Sequence, residues 1–154
     1  MLNFFRRKKV ATAAPKDPWI IASSEEDGFP VLSRFRGSVP DGVIVGSYPQ
    51  LINLFWSYSP GREQAMPGDE DYERMLVLES HLDKIEDSGI GYLMLSVTGN
   101  FRKEWILYVQ TDSAFLSALN TQLQGQARFP IEIESASDPE WRNYFGLMSR
   151  MREN

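Results

Sequence analysis

Hydrophobic residues recur at every second position in several stretches of the chain, a period that is typical of β-strands. The clearest stretch is 50–58, in which one face of the predicted strand is wholly apolar. That face consists of Ile52, Leu54, Trp56 and Tyr58. Other stretches with alternating or strand-like character are 91–97, 102–110 and 129–135. The pattern therefore predicts a sheet built from these strands.

Two hairpins are expected. Gly99-Asn100 separates the second and third of these strands, and this dipeptide is typical of a two-residue turn. Near the N-terminus, the strand-like runs 19–22 and 31–36 flank the polar stretch SSEEDGFP, which is expected to turn the chain.

Three further stretches have the spacing of an amphipathic helix. They are 69–89, 111–125 and 137–151. In the first, the buried stripe is predicted to be Met75, Leu78, Leu82 and Ile85. Asp112 is the expected N-cap of the second helix, and Asp138-Pro139 opens the third as an N-cap followed by proline at the first helical position.

The order of these elements between about residues 50 and 135 is β-α-β-β-α-β, the ferredoxin-like order. Right-handed crossovers then place both helices on one face of an antiparallel sheet. The N-terminal hairpin and the C-terminal helix are additions that either extend the sheet or cover its other face. The predicted fold class is α+β, with a basic flexible tail over residues 1–17 and a single domain over residues 18–152.

Composition narrows the chemistry and the kind of partner. The chain has 154 residues, a net charge of −5, no cysteine and a single histidine. Four basic residues stand in the first nine positions, so residues 10–154 carry only 12 basic residues against 21 acidic ones. Such an acidic body repels phosphate backbones, which disfavours nucleic acid and favours a protein partner with a basic surface. Without thiols, disulfides and thiolate chemistry are excluded.

The N-terminus adds a second hypothesis about partners. Phe4 and Phe5 stand beside the basic run 6–9, a combination that allows weak contact of residues 1–9 with an anionic membrane. The apolar core of a secretory signal is lacking and no stretch approaches transmembrane length, so a cytoplasmic location is expected.

The stretch TGNFRKEWILYV, residues 98–109, contributes the main candidate binding residues. Arg102, Glu104 and Tyr108 share one side of the predicted strand, whereas Trp105 faces the other side and is expected in the core. Ile106 of the same strand and residues of neighbouring strands would complete an open, acidic and aromatic sheet face. The residues from the neighbouring strands are Asn53, Phe55, Tyr92 and Met94. The simpler alternative is that Arg102 and Glu104 form an exposed ion pair at the mouth of the hairpin.

Acidic residues offer the alternative of an enzyme. Glu132 and Glu134 share one face of a strand and could converge with Glu104, and the run 69–73 opens a helix. Either set could divide acid–base roles or hold a metal. Protection of an edge strand and complementarity to the helix dipole explain the same residues without chemistry. His81 is expected to be partly buried and hydrogen-bonded. The common hydrolase and nucleotide-binding motifs are absent, and no catalytic residue, metal ligand or cofactor is predicted.

The succession of motifs resembles that of a known family. The helix YERMLVLESHLDKIE, the hairpin TGNFRKEWILYV, the strand FPIEIES and the segment DPEWRNYF follow one another over about residues 48–146. The chain is in this respect similar to the bacterial proteins classed as domain of unknown function 695. Those proteins have a threonine–glycine hairpin, an Arg-x-Glu-Trp strand and a terminal Asp-Pro-x-Trp segment. The family implies no activity, and a weaker likeness in fold order and charge to ribonuclease E inhibitor protein B implies a regulator.

Taken together, these observations favour a non-enzymatic protein-binding or regulatory module of bacterial origin. Its contact surface would be the acidic, aromatic sheet face. The alternative is a hydrolase or metal-dependent enzyme that is built on acidic residues.

Overall fold

The computed structural model describes residues 3–10, 19–59 and 63–153. The strands in these residues are β1 (Asn3–Val10), β2 (Trp19–Glu26), β3 (Phe29–Arg36), β4 (Gln50–Ser57), β5 (Gly91–Gly99), β6 (Arg102–Val109) and β7 (Ile131–Ser137). The α-helices are α1 (Asp69–Asp87), α2 (Asp112–Gln122) and α3 (Arg142–Glu153). None of the helices in the described part is long and apolar enough to cross a membrane.

The ferredoxin-like core is confirmed. The strands pair antiparallel in one sheet of order β1-β2-β3-β5-β6-β4-β7, and the last four have the ferredoxin-like arrangement. Helices α1 and α2 pack on one face, where the predicted stripe of α1, including Leu78, meets Trp56 and Trp105. The N-cap of α2 is Thr111 rather than Asp112, because the Thr111 side chain accepts a hydrogen bond from the first turn.

The N-terminal hairpin extends the sheet. β3 pairs with β5 at the edge of the core, and β2 joins β3 through a turn of only two residues, Asp27 and Gly28, both at positive φ. The longer turn predicted for SSEEDGFP is wrong, because backbone pairing continues through its polar residues as far as Glu26 and Phe29. Of the predicted tail, residues 3–10 form β1 against β2, and the rest of it lies outside the described residues.

The C-terminal helix α3 covers the other face of the sheet, on which the sequence predicts an open contact surface. Tyr144 and Met148 of α3 belong to one buried cluster with Met94 and Tyr108 of the sheet. Both sheet residues are 0% exposed. The centre of the face is therefore covered, contrary to expectation, because its apolar side chains also need to be removed from water.

The turn between β5 and β6 falls one residue later than predicted. Gly99 and Arg102 close the ladder as a pair, so Asn100 and Phe101 form the turn, both at positive φ. Gly99 is required within the strand instead. A Cβ atom at this position would lie 2.6 Å from the carbonyl oxygen of Pro30 in β3.

Helix α3 begins at Arg142, later than the predicted first helical position, Pro139. Asp138 nevertheless caps the helix, since its carboxylate accepts hydrogen bonds from the backbone N–H groups of Arg142 at 2.9 Å and Asn143 at 3.1 Å. Trp141 has a φ of 54°, which takes it out of the helical path, and its side chain is fully buried. Burial of this ring accounts for the delayed start of the helix.

Candidate functional site

Most of the candidate binding residues lie together at one end of the sheet. Phe55 of β4 stands between Glu104 of β6 and Glu132 of β7, and Asn53 stands beside Glu134. Because residues paired across antiparallel strands project from the same face, these side chains form one surface. We call this surface the acidic patch, which comprises Asn53, Phe55, Arg102, Glu104, Glu132 and Glu134. Its members are half-buried or exposed.

Arg102 is held by two neighbours within the acidic patch. Its guanidinium lies 3.4 Å from Glu104 Oε1 and 5.0 Å from the centre of the Phe55 ring. The ion pair expected at the hairpin mouth is thus present. Since 52% of the Arg102 side chain is exposed, the pair alone contributes little to stability.

The carboxylates of the acidic patch outnumber its cation, and Glu104 reflects this imbalance. Burial raises the pKa of Glu104, Arg102 and a hydrogen bond from Asn53 oppose the change, and the charges of Glu26 and Glu134 raise the pKa further. A second cation at this surface would relieve the repulsion.

The two remaining candidates lie outside the patch. Tyr108 is beneath α3, where its ring stacks on Trp141 with centroids 4.3 Å apart and its hydroxyl donates to Asp138 at 2.7 Å. Burial, then the hydrogen bond to Asp138, raise the pKa of Tyr108 strongly. Tyr92 is half-buried, with its ring edge-on to Tyr48 at 5.1 Å. Both tyrosines thus pack against neighbouring side chains and lie apart from the patch.

The carboxylates considered for an enzyme do not gather into one centre. Glu132 and Glu134 are exposed on the edge strand β7, a whole strand away from Glu104. Among the described residues, no group of three or more histidine, aspartate and glutamate side chains is placed to hold a metal ion. His81 is buried, with its Nδ1 3.0 Å from Gln122 Oε1, as expected of a hydrogen-bonded structural histidine.

The opposite face of the sheet contains a groove that no sequence pattern predicts. It lies between α1 and strands β2, β3, β5 and β6, and it encloses about 630 Å³. We call it the α1 groove. Most of its wall is apolar and includes Leu32, Met66, Tyr72, Met75 and Leu76. Its polar lining consists of Arg34, Glu79, Ser96, Thr98 and Lys103.

Lys103 is the least solvated cation of the α1 groove. Its Nζ donates to Thr98 Oγ1 at 2.7 Å and lies 3.9 Å from Glu79 Oε1, and only 16% of its side chain is exposed. Burial lowers the pKa of Lys103 to about 8, while Glu79 opposes the change and Arg34 adds to it. The amine therefore stays mostly protonated at neutral pH despite its burial.

The position of Lys103 in the α1 groove follows from a local sequence pattern. Lys103 stands two residues before Trp105, so the alternation that directs Trp105 into the core directs Lys103 to the same face. The groove itself depends on the pairing of β3 with β5, which joins residues that are more than sixty positions apart, such as Leu32 and Thr98. No local pattern indicates that pairing.

Comparison with known proteins identifies a family. The model of the "Family of unknown function (DUF695)" matches residues 17–148, a span that includes both the acidic patch and the α1 groove. No curated protein and no solved structure matches the chain. The likeness to ribonuclease E inhibitor protein B stays a prediction.

Proposed function

We propose that this chain, which belongs to the family of unknown function DUF695, is a non-enzymatic protein-binding module. Its acidic patch engages a basic, extended segment of a partner protein. The observation that carries the proposal is the pair of exposed glutamates, Glu132 and Glu134, on β7, the strand that ends the sheet.

The charge of the acidic patch supports a basic partner. Glu104, Glu132 and Glu134 contribute three carboxylates to the patch, and its one cation, Arg102, pairs with Glu104. Burial and the neighbouring carboxylates keep the pKa of Glu104 raised in spite of Arg102. A lysine or arginine of the partner would offset this repulsion, so complementary charge would favour binding and speed association.

The edge of β7 supports an extended partner. Among the described residues β7 pairs with β4 alone, which leaves the backbone N–H and C=O groups of its outer edge for an added strand. Glu132 and Glu134 are exposed on one face of this strand. A partner strand with a basic residue at every second position would place its cations opposite them. The same glutamates disfavour pairing between two copies of β7.

Fluorescence anisotropy with two labelled peptides tests this proposal. One peptide alternates arginine with valine, and the other alternates glutamate with valine. We expect saturable binding of the basic peptide at low salt, weaker binding when the salt is raised to about 300 mM, and no binding of the acidic peptide.

A pair of variants with equal charge change localises the binding. The triple variant Glu104→Gln, Glu132→Gln, Glu134→Gln should lose binding of the basic peptide. The control triple variant Glu70→Gln, Glu73→Gln, Glu140→Gln alters exposed glutamates outside the patch and should retain it. Equal affinities of the two triple variants would show that general acidity, rather than this surface, attracts the peptide, and the proposal would be rejected.

A further inference from the structure

We propose that the α1 groove binds a small amphipathic carboxylate, with the carboxylate at Lys103 and the apolar body between α1 and β3. The groove and the acidic patch lie on opposite faces of the sheet, so this inference is independent of the function proposed above.

The apolar wall of the groove brings together large hydrophobic side chains that solvent reaches. Leu32 on β3 is 43% exposed, and Tyr72 and Leu76 on α1 are 46% and 50% exposed. All three line the same cavity. Single exposed apolar residues are common on proteins, but a contiguous set along a concave surface indicates a binding site. The volume of about 630 Å³ is within the usual range for small-molecule sites.

The acceptors next to Lys103 are already engaged by the protein. Glu79 Oε1 accepts from Trp105 Nε1 at 2.9 Å, and Glu79 Oε2 accepts from the Arg34 guanidinium at 3.1 Å. Lys103 makes one close hydrogen bond, to Thr98, and its contact with Glu79 is long at 3.9 Å. An ammonium group has three donors, so Lys103 retains donor capacity for a ligand that supplies an acceptor.

The local charge indicates that this acceptor is anionic. Arg34 and Lys103 contribute two cations to the lining of the groove, and Glu79 contributes one carboxylate. A carboxylate bound in this poorly hydrated site would form a charge-assisted hydrogen bond and compensate the buried ammonium.

NMR titration of the intact protein with octanoate tests the inference, with 1-octanol as the uncharged analogue of equal chain length. We expect saturable shifts of the methyl signals of the groove with octanoate and weaker binding of 1-octanol. Lys103→Met should reduce the affinity for octanoate by about tenfold or more. Lys84→Met, which removes an exposed lysine of α1 outside the groove, should leave the affinity unchanged.

A second pair of variants tests the apolar part of the site without disturbing the core. Leu76→Asp places a negative charge on the wall of the groove and should abolish octanoate binding. Val77→Asp alters the next residue of α1, which is 42% exposed and not part of the lining, and should have no effect. The inference is overturned by an absence of saturable octanoate binding, or by wild-type affinity in either Lys103→Met or Leu76→Asp.

The pH dependence of binding gives a further readout. Glu79 from α1 and Arg34 from β3 are the charged groups that face Lys103, and β5 contributes the uncharged Ser96 and Thr98. Loss of the proton from Lys103 should weaken octanoate binding as the pH rises from about 7 to about 9. The profile of Lys103→Met should be flat in this range, and a parallel decline in both proteins would contradict the assigned role of Lys103.

Discussion

The two faces of the sheet hold their helices in different ways. Under α1 and α2 the core is hydrophobic, and large side chains such as Trp56 and Trp105 pack against one another. Under α3 a buried carboxylate, Asp138, joins Tyr108 of the sheet to the start of the helix by hydrogen bonds. The first face buries mainly apolar area, and Glu79 of α1 adds hydrogen bonds from Trp105 and Arg34 of the sheet. On the second face the buried carboxylate of Asp138 itself connects the sheet to the helix. Mutations can separate these two contributions.

The largest effect is expected on the hydrophobic face. Leu78→Ala removes a side chain that is 0% exposed beneath α1 and leaves a cavity, which should lower the free energy of unfolding by about 4 kcal/mol. Urea denaturation measures this loss. Leu76→Ala on the same helix is the control, and it should cost less than about 1 kcal/mol because that side chain is 50% exposed. Similar losses for both variants would mean that α1 is not held by its buried stripe.

The polar contact under α3 should give the next largest effect. Asp138→Ala removes the cap of α3 and leaves the buried hydroxyl of Tyr108 without its acceptor, which should cost about 3 kcal/mol in urea denaturation. Tyr108→Phe deletes the same hydroxyl but keeps the cap, and its cost should be about 1 kcal/mol. If Asp138→Ala cost no more than Tyr108→Phe, the cap would contribute nothing.

The pH dependence of stability distinguishes the two faces as well. Burial tends to raise the pKa of Asp138, but hydrogen bonds from Asn143, Tyr108 and the backbone outweigh it, and the pKa is lowered. The stabilisation by Asp138 is therefore complete above the usual carboxylate range and is lost as the pH falls through the lowered value. The difference in stability between the wild type and Asp138→Ala should shrink in acid.

Lys103 should make stability increase with pH in the same direction as Asp138, but in the alkaline range. Its pKa is about 8 in the folded protein, because burial disfavours the charge, whereas the unfolded chain holds the proton until about pH 10.5. Between these values the unfolded state binds more protons, so the stability of the wild type should increase with pH, by about 2 kcal/mol up to pH 10. Urea denaturation of the wild type and of Lys103→Met at each pH isolates this contribution. A constant difference between the two proteins would contradict the shift.

Tyrosines limit this gain at still higher pH. Burial raises the pKa of Tyr58 to about 12, so in the folded state this residue keeps its proton after tyrosines of the unfolded chain have ionised. Stability should then decrease above about pH 10 in the wild type and in Lys103→Met alike.

The smallest effect is expected at the acidic patch. Arg102→Ala removes an exposed ion pair and a contact with Phe55, and the free energy of unfolding should change by less than about 1 kcal/mol. Thermal denaturation would show a change of that size. A larger loss would indicate that Arg102 and Glu104 hold the β5–β6 hairpin together, which would weaken the case for a binding role.

Periodicity was sufficient to predict the elements that carry their own signals. The stripe of α1 and the alternation of β4 and β6 each arise from adjacent turns or pleats, so their buried residues follow from spacing alone. The order of those elements then restricted the core to one antiparallel arrangement. For this reason the positions of Leu78 and Trp105 were predictable without any knowledge of tertiary contacts.

Features that depend on distant contacts were not predictable in the same way. Trp105 and Leu107 face the core beneath α1 and α2, and the strand alternation places Tyr108 on the other side of the sheet. It is buried because α3 packs on that side. The same alternation places Lys103 on the face that α1 covers. Whether its side chain is packed in the core or lines an open groove depends on the pairing of β3 with β5. By contrast, the shared face of Asn53, Phe55, Arg102 and Glu104 could be predicted from the alternation within β4 and β6 and from the pairing of these two strands.

The close approach of β5 to β3 at Gly99 has a consequence for how the protein can vary. A single added methyl group at this position would meet the Pro30 carbonyl at 2.6 Å, and the φ of +150° is one that other residues rarely adopt. Both constraints act where β3 of the N-terminal hairpin pairs with β5 of the ferredoxin-like core. The neighbouring pair along this ladder is Leu32 and Thr98, which line the groove. Substitution at position 99 would therefore push Pro30 and Val31 of β3 away from β5, so variation at this position is limited by the pairing that brings Leu32 and Thr98 together.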